Sequence, residues 1–541
     1  DFCLSRGLGD VYKRQGGLFM KKKILAALLI GALSLTGCGT DNTPSKTAQK
    51  DELTITVGRN MVAGKFDPTI GYGVWHPDIF HSHILTVGKD NKLVNDLATK
   101  ETISADGLTY TYEIRKDAKF TDGKTLTAKD IVFTFNKTKE RASAADLSML
   151  DSVEAKNDYT VVFHLKKPWS TFPYSLTEIG IVPAHAYTDT YGDKPIGSGA
   201  WKVLDFKKDQ QLILAPNEYY YGKKSSFKKI TILKVDEDAA LASAKSGQLD
   251  LVYVDAESSK TKVDHMTVLT MPTVDSFSIN LPVIPETTED GQIVGNNVTS
   301  DIAIRQALNI GINRQAIIDN ALSGCGTPAF STSPEAPWSS KYTFQDNRVE
   351  EAKKLLEDAG WKDTDGDGIR EKNGVKAEFT VTGRSNDLAR YNTVVALAEN
   401  AKPLGIHIIA KSEAWAEARK ARHTPTCWSF VDLNPIDFYR QFHSSQIGKQ
   451  VINNPSSYRN AAVDAEIDAA LSSNNREDSY RHWINAQDLV EKDIPSLRIS
   501  FPSLTYYVKD GLHIPEYGKT ITRGQGISII ENMNEWTWDS K

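Results

Sequence analysis

Residues 108–114 read LTYTYEI, residues 128–139 read AKDIVFTFNKTK and residues 160–165 read TVVFHL. The outer two segments are rich in Thr, Tyr, Val and Phe, and the first alternates with period two, the habit of a strand. Between them, Ile131, Phe135 and Thr138 recur at helical spacing. Strand, helix and strand in succession predict an α/β architecture. The same mixture continues outward. Residues 53–57 (LTITV) read as a strand, residues 239–246 as a short Ala-rich helix and residues 249–254 (LDLVYV) as a strand. Residues 302–321 read as one helix, with Ile304, Ala307, Leu308, Ile312, Ile317 and Ile318 on its apolar face. Residues 349–359 predict another, closed by Gly360. Residues 394–404 and 462–471 predict helices as well.

A chain of 541 residues exceeds one compact domain. Its 40% hydrophobic and 25% charged composition is that of an ordinary globular protein with a sizeable core. Sixty-four basic residues face 69 acidic ones, a net charge of −5. No basic block lies outside the N-terminal region, so no nucleic-acid partner is expected. The four cysteines, Cys3, Cys38, Cys325 and Cys427, are too scattered for a disulfide framework or a zinc site. Cys325 and Cys427 read as small buried hydrophobes.

Residues 20–23 (MKKK) form a positive start, and residues 24–35 (ILAALLIGALSL) an apolar run. As a helix that run rises about 18 Å. A bilayer core needs roughly 30 Å. It therefore reads as a signal peptide, residues 20–37, and not as a membrane span. Leu35-Thr36-Gly37-Cys38 resembles a bacterial lipobox, which implies a lipid on Cys38. The protein is then expected at the outer face of the bacterial cytoplasmic membrane, held by that anchor. Residues 38–50 read as a flexible polar tether, and residues 1–19 as spurious upstream sequence.

Several blocks are similar to those of one family. Residues 119–124 (KFTDGK) and 128–135 (AKDIVFTF) resemble the "kF-dG-ta-DV-fsf" block of family 5 solute-binding proteins. Residues 195–203 (PIGSGAWKV) resemble their "P-IGTGPY-V" block, and residues 304–309 with 311–314 resemble "vRQALnyAIdR". Residues 352–374 resemble a further block. The order is the family's, and the likeness spans most of residues 51–541. It implies a two-lobed periplasmic-binding-protein fold (type II, cluster C) with an extra subdomain in lobe I, closing on its ligand like a flytrap. Lobe I is expected over residues 51–272 and 500–541, with the subdomain at about 88–190, and lobe II over residues 273–499. Residues 272–276 and 494–502 are the expected crossings. The implied role is the receptor of an ABC importer for peptides, nickel or metal chelates. It would act as a monomer that delivers its ligand to permease and ATPase subunits, with no catalysis and no required cofactor.

Candidate ligand contacts follow from the residues and the resemblance together. Tyr72, Trp75, His76, His81 and His83 crowd into GYGVWHPDIFHSH. Neutral imidazole is a common metal ligand, so His76, His81 and His83 are metal candidates and Tyr72 and Trp75 cleft-lining ones; packing and surface roles compete with both. Trp428, Asp432, Asn434 and Tyr439 lie in WSFVDLNPIDFYRQFH, which also holds His443. In dipeptide- and oligopeptide-binding relatives an aspartate three residues after the tryptophan pairs with the peptide amine; Asp432 stands one residue further on. A carboxylate facing a cation makes a strong charge-assisted bond. Arg384 is a candidate partner for a ligand carboxylate through its planar fork. The positions that match the anion-holding residues of nickel-chelate relatives read Ser143, Asp146 and Glu178, which suit no anion. Asp363, Asp365 and Asp367 resemble the start of a calcium loop, but its twelfth position is Gly374, so calcium is not expected.

Two other classes compete with the receptor. A secreted hydrolase would need a nucleophile with a positioned base, and no Gly-x-Ser-x-Gly or His-Glu-x-x-His occurs. A ligand sensor or chaperone could use the same scaffold without a transporter.

Overall fold

The computed structural model describes residues 50–58, 65–73, 77–88, 91–141, 145–289, 291–332, 336–418, 420–431, 434–450, 452–515 and 528–539. The expected leader, Cys38 and most of the tether lie outside them. Among the described residues no helix is long and apolar enough to cross a membrane.

The principal sheet has ten strands. Its spatial order begins Cys427–Val431, Asp275–Asn280, Ser496–Lys509, Leu251–Val254 and Glu52–Thr56. Lys229–Leu233, Gln211–Pro216 and Trp201–Lys207 complete the path, while Met266–Pro272 and Gly326–Pro328 pair with Ser496–Lys509. A separate antiparallel sheet holds Ala98–Ile103, Thr109–Ile114, Thr160–Leu165 and Leu150–Asn157. The helix Ala128–Glu140 packs on it through Ile131 and Phe135, both fully buried. A capping box starts that helix, with Asp130 reaching back to Thr127.

The strand Ser496–Lys509 links different cores. Leu497 and Ile499 pack with Ile304, Leu308 and Val381, whereas Tyr506 packs with Leu53, Ile55 and Trp201. The strand is 14 residues long, so its first part serves one core and its last part the other. A third core unites the four-stranded sheet with Phe438, Trp483 and Val490 from the stretch assigned to lobe II.

Several expected elements sit where the periodicity placed them. Residues 160–165 are the strand Thr160–Leu165, and residues 462–471 lie in the helix Ala461–Ser472. Residues 349–359 give Val349–Asp358, followed by Gly360 at φ +89°. The expected helix over 302–321 is two helices, Ile302–Gly311 and Arg314–Ala321. Ile312 is extended, and the Asn313 side chain accepts from the Ala316 amide to cap the second helix. An apolar stripe survives such a break because both halves face the same core. The helix over 394–404 starts earlier, as Leu388–Ala401, because Asp387 caps it.

Candidate functional site

A cavity of about 920 Å³ lies where the cores approach each other. Tyr253 to Ser258 and Ser503 to Thr505 line one side; Asp275, Phe277, Leu322 and residues 387–390 line the other. The strand Leu251–Val254 of the principal sheet ends at this cavity, and the loop Asp255 to Ser258 that follows it lines the wall. Ligands of open α/β sheets bind at such strand ends. The hydroxyl of Ser323 donates to Glu257 from the opposite side, closing part of the rim.

The lining is acidic. Asp255, Glu257, Asp275 and Asp387 line it together with one guanidinium, that of Arg390. Glu257 pairs with Lys260 at 2.9 Å, and Asp387 with Arg390 at 3.3 Å. Asp255 accepts from the amide and hydroxyl of Ser258. Asp275 accepts from the Ser429 hydroxyl. Burial pushes the Asp275 carboxyl above its ordinary range, against the pull of Arg390 and Ser429.

An aromatic corner forms beside this region. Trp428, buried in the strand Cys427–Val431, donates its indole N–H to Asn280 Oδ1 at 2.6 Å. Its ring meets that of Trp415 edge-on at 4.9 Å, and Arg384 lies over Trp415 at 4.6 Å. Trp428 and Arg384 are therefore brought together through Trp415, which the sequence reading did not single out. It also missed Asp275 and Arg390. An isolated aspartate at a strand start and an arginine in a helix leave no local pattern; only a carboxylate among apolar strand residues, VDSFSIN, was there to notice.

Tyr439 sits at a second opening, and Asn434 is buried close to it in sequence. Asn434 donates to Glu178 at 3.4 Å, and its own Oδ1 caps Ile436. Tyr439 packs edge-on against Trp169 at 5.8 Å, and Gln446 donates to its hydroxyl at 2.7 Å. Arg440 bonds Asp437 at 3.1 Å and reaches Asp146 at 3.4 Å. Asp146 and Glu178 thus meet Arg440 and Asn434 across the gap. A groove of about 590 Å³ runs between Asp146, Trp169, Tyr439 and Arg440.

The histidine cluster takes another role. His81 Nδ1 lies 2.9 Å from the Asp78 carboxylate, and Nε2 lies 2.8 Å from the Tyr191 hydroxyl, which donates to the Ile196 carbonyl. Both ring nitrogens of His81, a metal candidate in the sequence, are engaged in a fully buried network. His83 is buried too, with Nε2 3.8 Å from Asp78. Burial works against ionisation of Asp78, but His81 and His83 outweigh it and hold its carboxyl below the ordinary range. Tyr72 is a core residue, packed on Phe66 at 5.5 Å and Phe80 at 6.1 Å. Gly197 and Gly199 explain the PIGSG segment: a Cβ on Gly197 would stand 1.9 Å from the Phe80 carbonyl oxygen, and one on Gly199 2.6 Å from its carbon. Trp75, His76, Ser143 and Asp432 lie outside the described residues. His443 is buried and accepts from the Ser445 amide through Nδ1.

Cys325 and Cys427 are free, and burial pushes the Cys427 thiol up to about 12. Among the described residues, the group of acidic or histidine side chains with converging ligand atoms is Asp363, Asp365, Asp367 and Glu371. Lys376 already bonds both Asp365 and Asp367.

Residues 92–450 match the bacterial extracellular solute-binding proteins, family 5. The chain is 28% identical over 524 residues to the oligopeptide-binding protein AppA of Bacillus subtilis, covering 89% of this chain and 93% of AppA. Its fold is similar to NikZ from Campylobacter jejuni in complex with Ni(L-His), with a TM-score of 0.73 and 23% identity, covering 90% of this chain and 99% of NikZ. It is also similar to AppA in complex with a nonapeptide, with a TM-score of 0.68 and 24% identity, covering 91% and 99%. The fold is thus the two-lobed, mixed α/β one expected. With the match spanning well over half its length, the chain belongs to the bacterial extracellular solute-binding proteins of family 5.

Proposed function

We propose that this protein is the lipid-anchored receptor of an ABC importer that captures short peptides bearing a free amine. The observation that carries this reading is the cavity of about 920 Å³, whose lining holds four carboxylates and one guanidinium. Such a lining favours a cationic group over an anion. Burial of the ligand between walls supplies affinity without covalent chemistry. The likeness to an oligopeptide-binding relative over 93% of its length supports the same class. The occupation of both His81 nitrogens, and acids at Asp146 and Glu178, weigh against a nickel-chelate arrangement.

The strands Asp275–Asn280 and Ser496–Lys509 are where the halves would hinge. Cys38 would carry the lipid, keeping the receptor beside its permease at the outer face of the cytoplasmic membrane. Asp432 remains the residue proposed to take the peptide amine.

Native mass spectrometry of the purified protein, with elemental analysis, tests the reading. Copurified peptide without metal is the expected result. Tryptophan emission should then change saturably with tripeptides and not with their N-acetylated forms. Stoichiometric nickel, or a response confined to nickel–histidine, would overturn it.

A further inference from the structure

We infer that the cavity at the strand ends selects a basic ligand side chain, with Asp275 as the residue that receives its charge. This rests on the peptide reading and adds a substrate class to it.

Asp275 is only 8% exposed, yet it lines the cavity. Among the described residues no cation lies within ion-pair distance of it. The nearest guanidinium, Arg390, acts on Asp275 only from beyond ion-pair distance: its Nε lies 3.3 Å from Asp387, and its guanidinium carbon 5.5 Å from the centre of the Phe277 ring. The direct partner of Asp275 is the Ser429 hydroxyl, a neutral donor. A carboxylate taken from water without a cation is costly to keep ionised. A ligand ammonium or guanidinium entering the cavity would relieve that cost through a charge-assisted bond. The rest of the wall suits the stem of such a side chain. Phe277, Leu322, Pro502 and Leu504 are apolar, and lysine and arginine bury their methylenes along such surfaces while the charged head finds its partner. Glu257 and Asp387 have their own cations, so among the described residues the lining carboxylates without an ion pair are Asp275 and Asp255.

Isothermal titration of the full protein with Ala-Lys-Ala, Ala-Arg-Ala and the neutral near-isostere Ala-norleucine-Ala tests this, alongside Asp275→Asn. The wild type should bind the basic peptides at least about tenfold tighter than the norleucine peptide. Asp275→Asn should lose the preference, its affinities for the basic peptides falling to that for the norleucine peptide. Equal binding of all three peptides by the wild type, or an unchanged preference in the variant, would overturn the inference and leave the peptide reading standing. Failure of every peptide to bind would overturn both. If Asp275→Asn does not fold, the comparison of lysine with Nε-acetyl-lysine peptides on the wild type decides: equal affinities would overturn the assignment.

Discussion

Arg476 and Glu101, 375 residues apart in sequence, form an ion pair at 3.0 Å. The contact joins the start of the helix Arg476–Asp493 to the four-stranded sheet. Around it, Ser170 donates its amide to the Leu471 carbonyl at 2.8 Å, and the hydroxyls of Tyr174 and Tyr480 meet at 3.0 Å. The pair is partly exposed, so Arg476→Ala should cost under about 1 kcal/mol of stability. If these segments part when ligand leaves, the same variant should speed release several-fold. Stopped-flow displacement of a bound peptide reads that rate; an unchanged rate would show that this contact persists in the open form.

Gly197→Ala should destabilise the fold by about 3 kcal/mol, because the new methyl would meet backbone and not a movable side chain. Gly247 is the control. It has φ +69° and nothing within 4 Å, so Gly247→Ala should cost only about 1 kcal/mol, from the backbone conformation alone. Urea unfolding of the two variants separates steric from conformational cost. Equal losses would contradict the assignment.

His81→Ala should cost about 3 kcal/mol at neutral pH by leaving Asp78 buried without its partner. The sign with pH is definite. The folded-state pKa of Asp78 is depressed, so its contribution is present above the unfolded value of about 3.9 and lost as pH falls through the folded one. The gap between wild type and variant should therefore shrink on strong acidification. Metal content should not change, since both ring nitrogens serve the core.

Preference for a lysine side chain should fall as pH is lowered. Burial raises the pKa of Asp275; Arg390 and Ser429 oppose the rise, and Asp387 adds to it. Cys427, facing the same carboxylate, stays a neutral thiol. A carboxyl with a raised pKa takes up its proton above the ordinary range, and the protonated form offers an ammonium no charge. Affinity for Ala-Lys-Ala should weaken on acidification, beginning above the ordinary carboxylate range, more than that for the norleucine peptide. Parallel pH profiles would rule Asp275 out as the charge receptor.

Calcium should have little effect on the wild type, because Lys376 already bonds Asp365 and Asp367. Lys376→Ala exposes the carboxylates of Asp363, Asp365, Asp367 and Glu371 to one another. Millimolar calcium should then raise the melting temperature of the variant more than that of the wild type. Equal shifts would mean that the lysine does not occupy the cation's place.

Most of the site was hidden from the sequence for identifiable reasons. The helix Arg476–Asp493 carries mostly polar residues and buries Trp483, Ala486 and Val490 along a narrow stripe. Its cap, Asn475 accepting from the Asp478 amide, was the signal available. The strand Ser496–Lys509 is buried on both faces through much of its length, so no alternation marks it. Trp415 and Trp428 meet edge-on because Glu378–Arg384 pairs with His407–Glu413, which ends just before Trp415, and also bridges through Thr382 to Thr426, just before Trp428. No local pattern encodes such a meeting.

The sequence by itself determined what is local or cumulative: helices and strands with one apolar face, the glycine pair in PIGSG, a lipobox-like start and an ordered set of family blocks. Those features follow from residue type and spacing along the chain. Tertiary structure decided which polar groups are spent and which are open. His81 and Asp275 are both buried polar residues, yet one is satisfied on both nitrogens by Asp78 and Tyr191 and the other faces a cavity with the Ser429 hydroxyl as its partner. Hydrogen bonding and burial are properties of neighbours in space, and those neighbours lie up to 154 residues away.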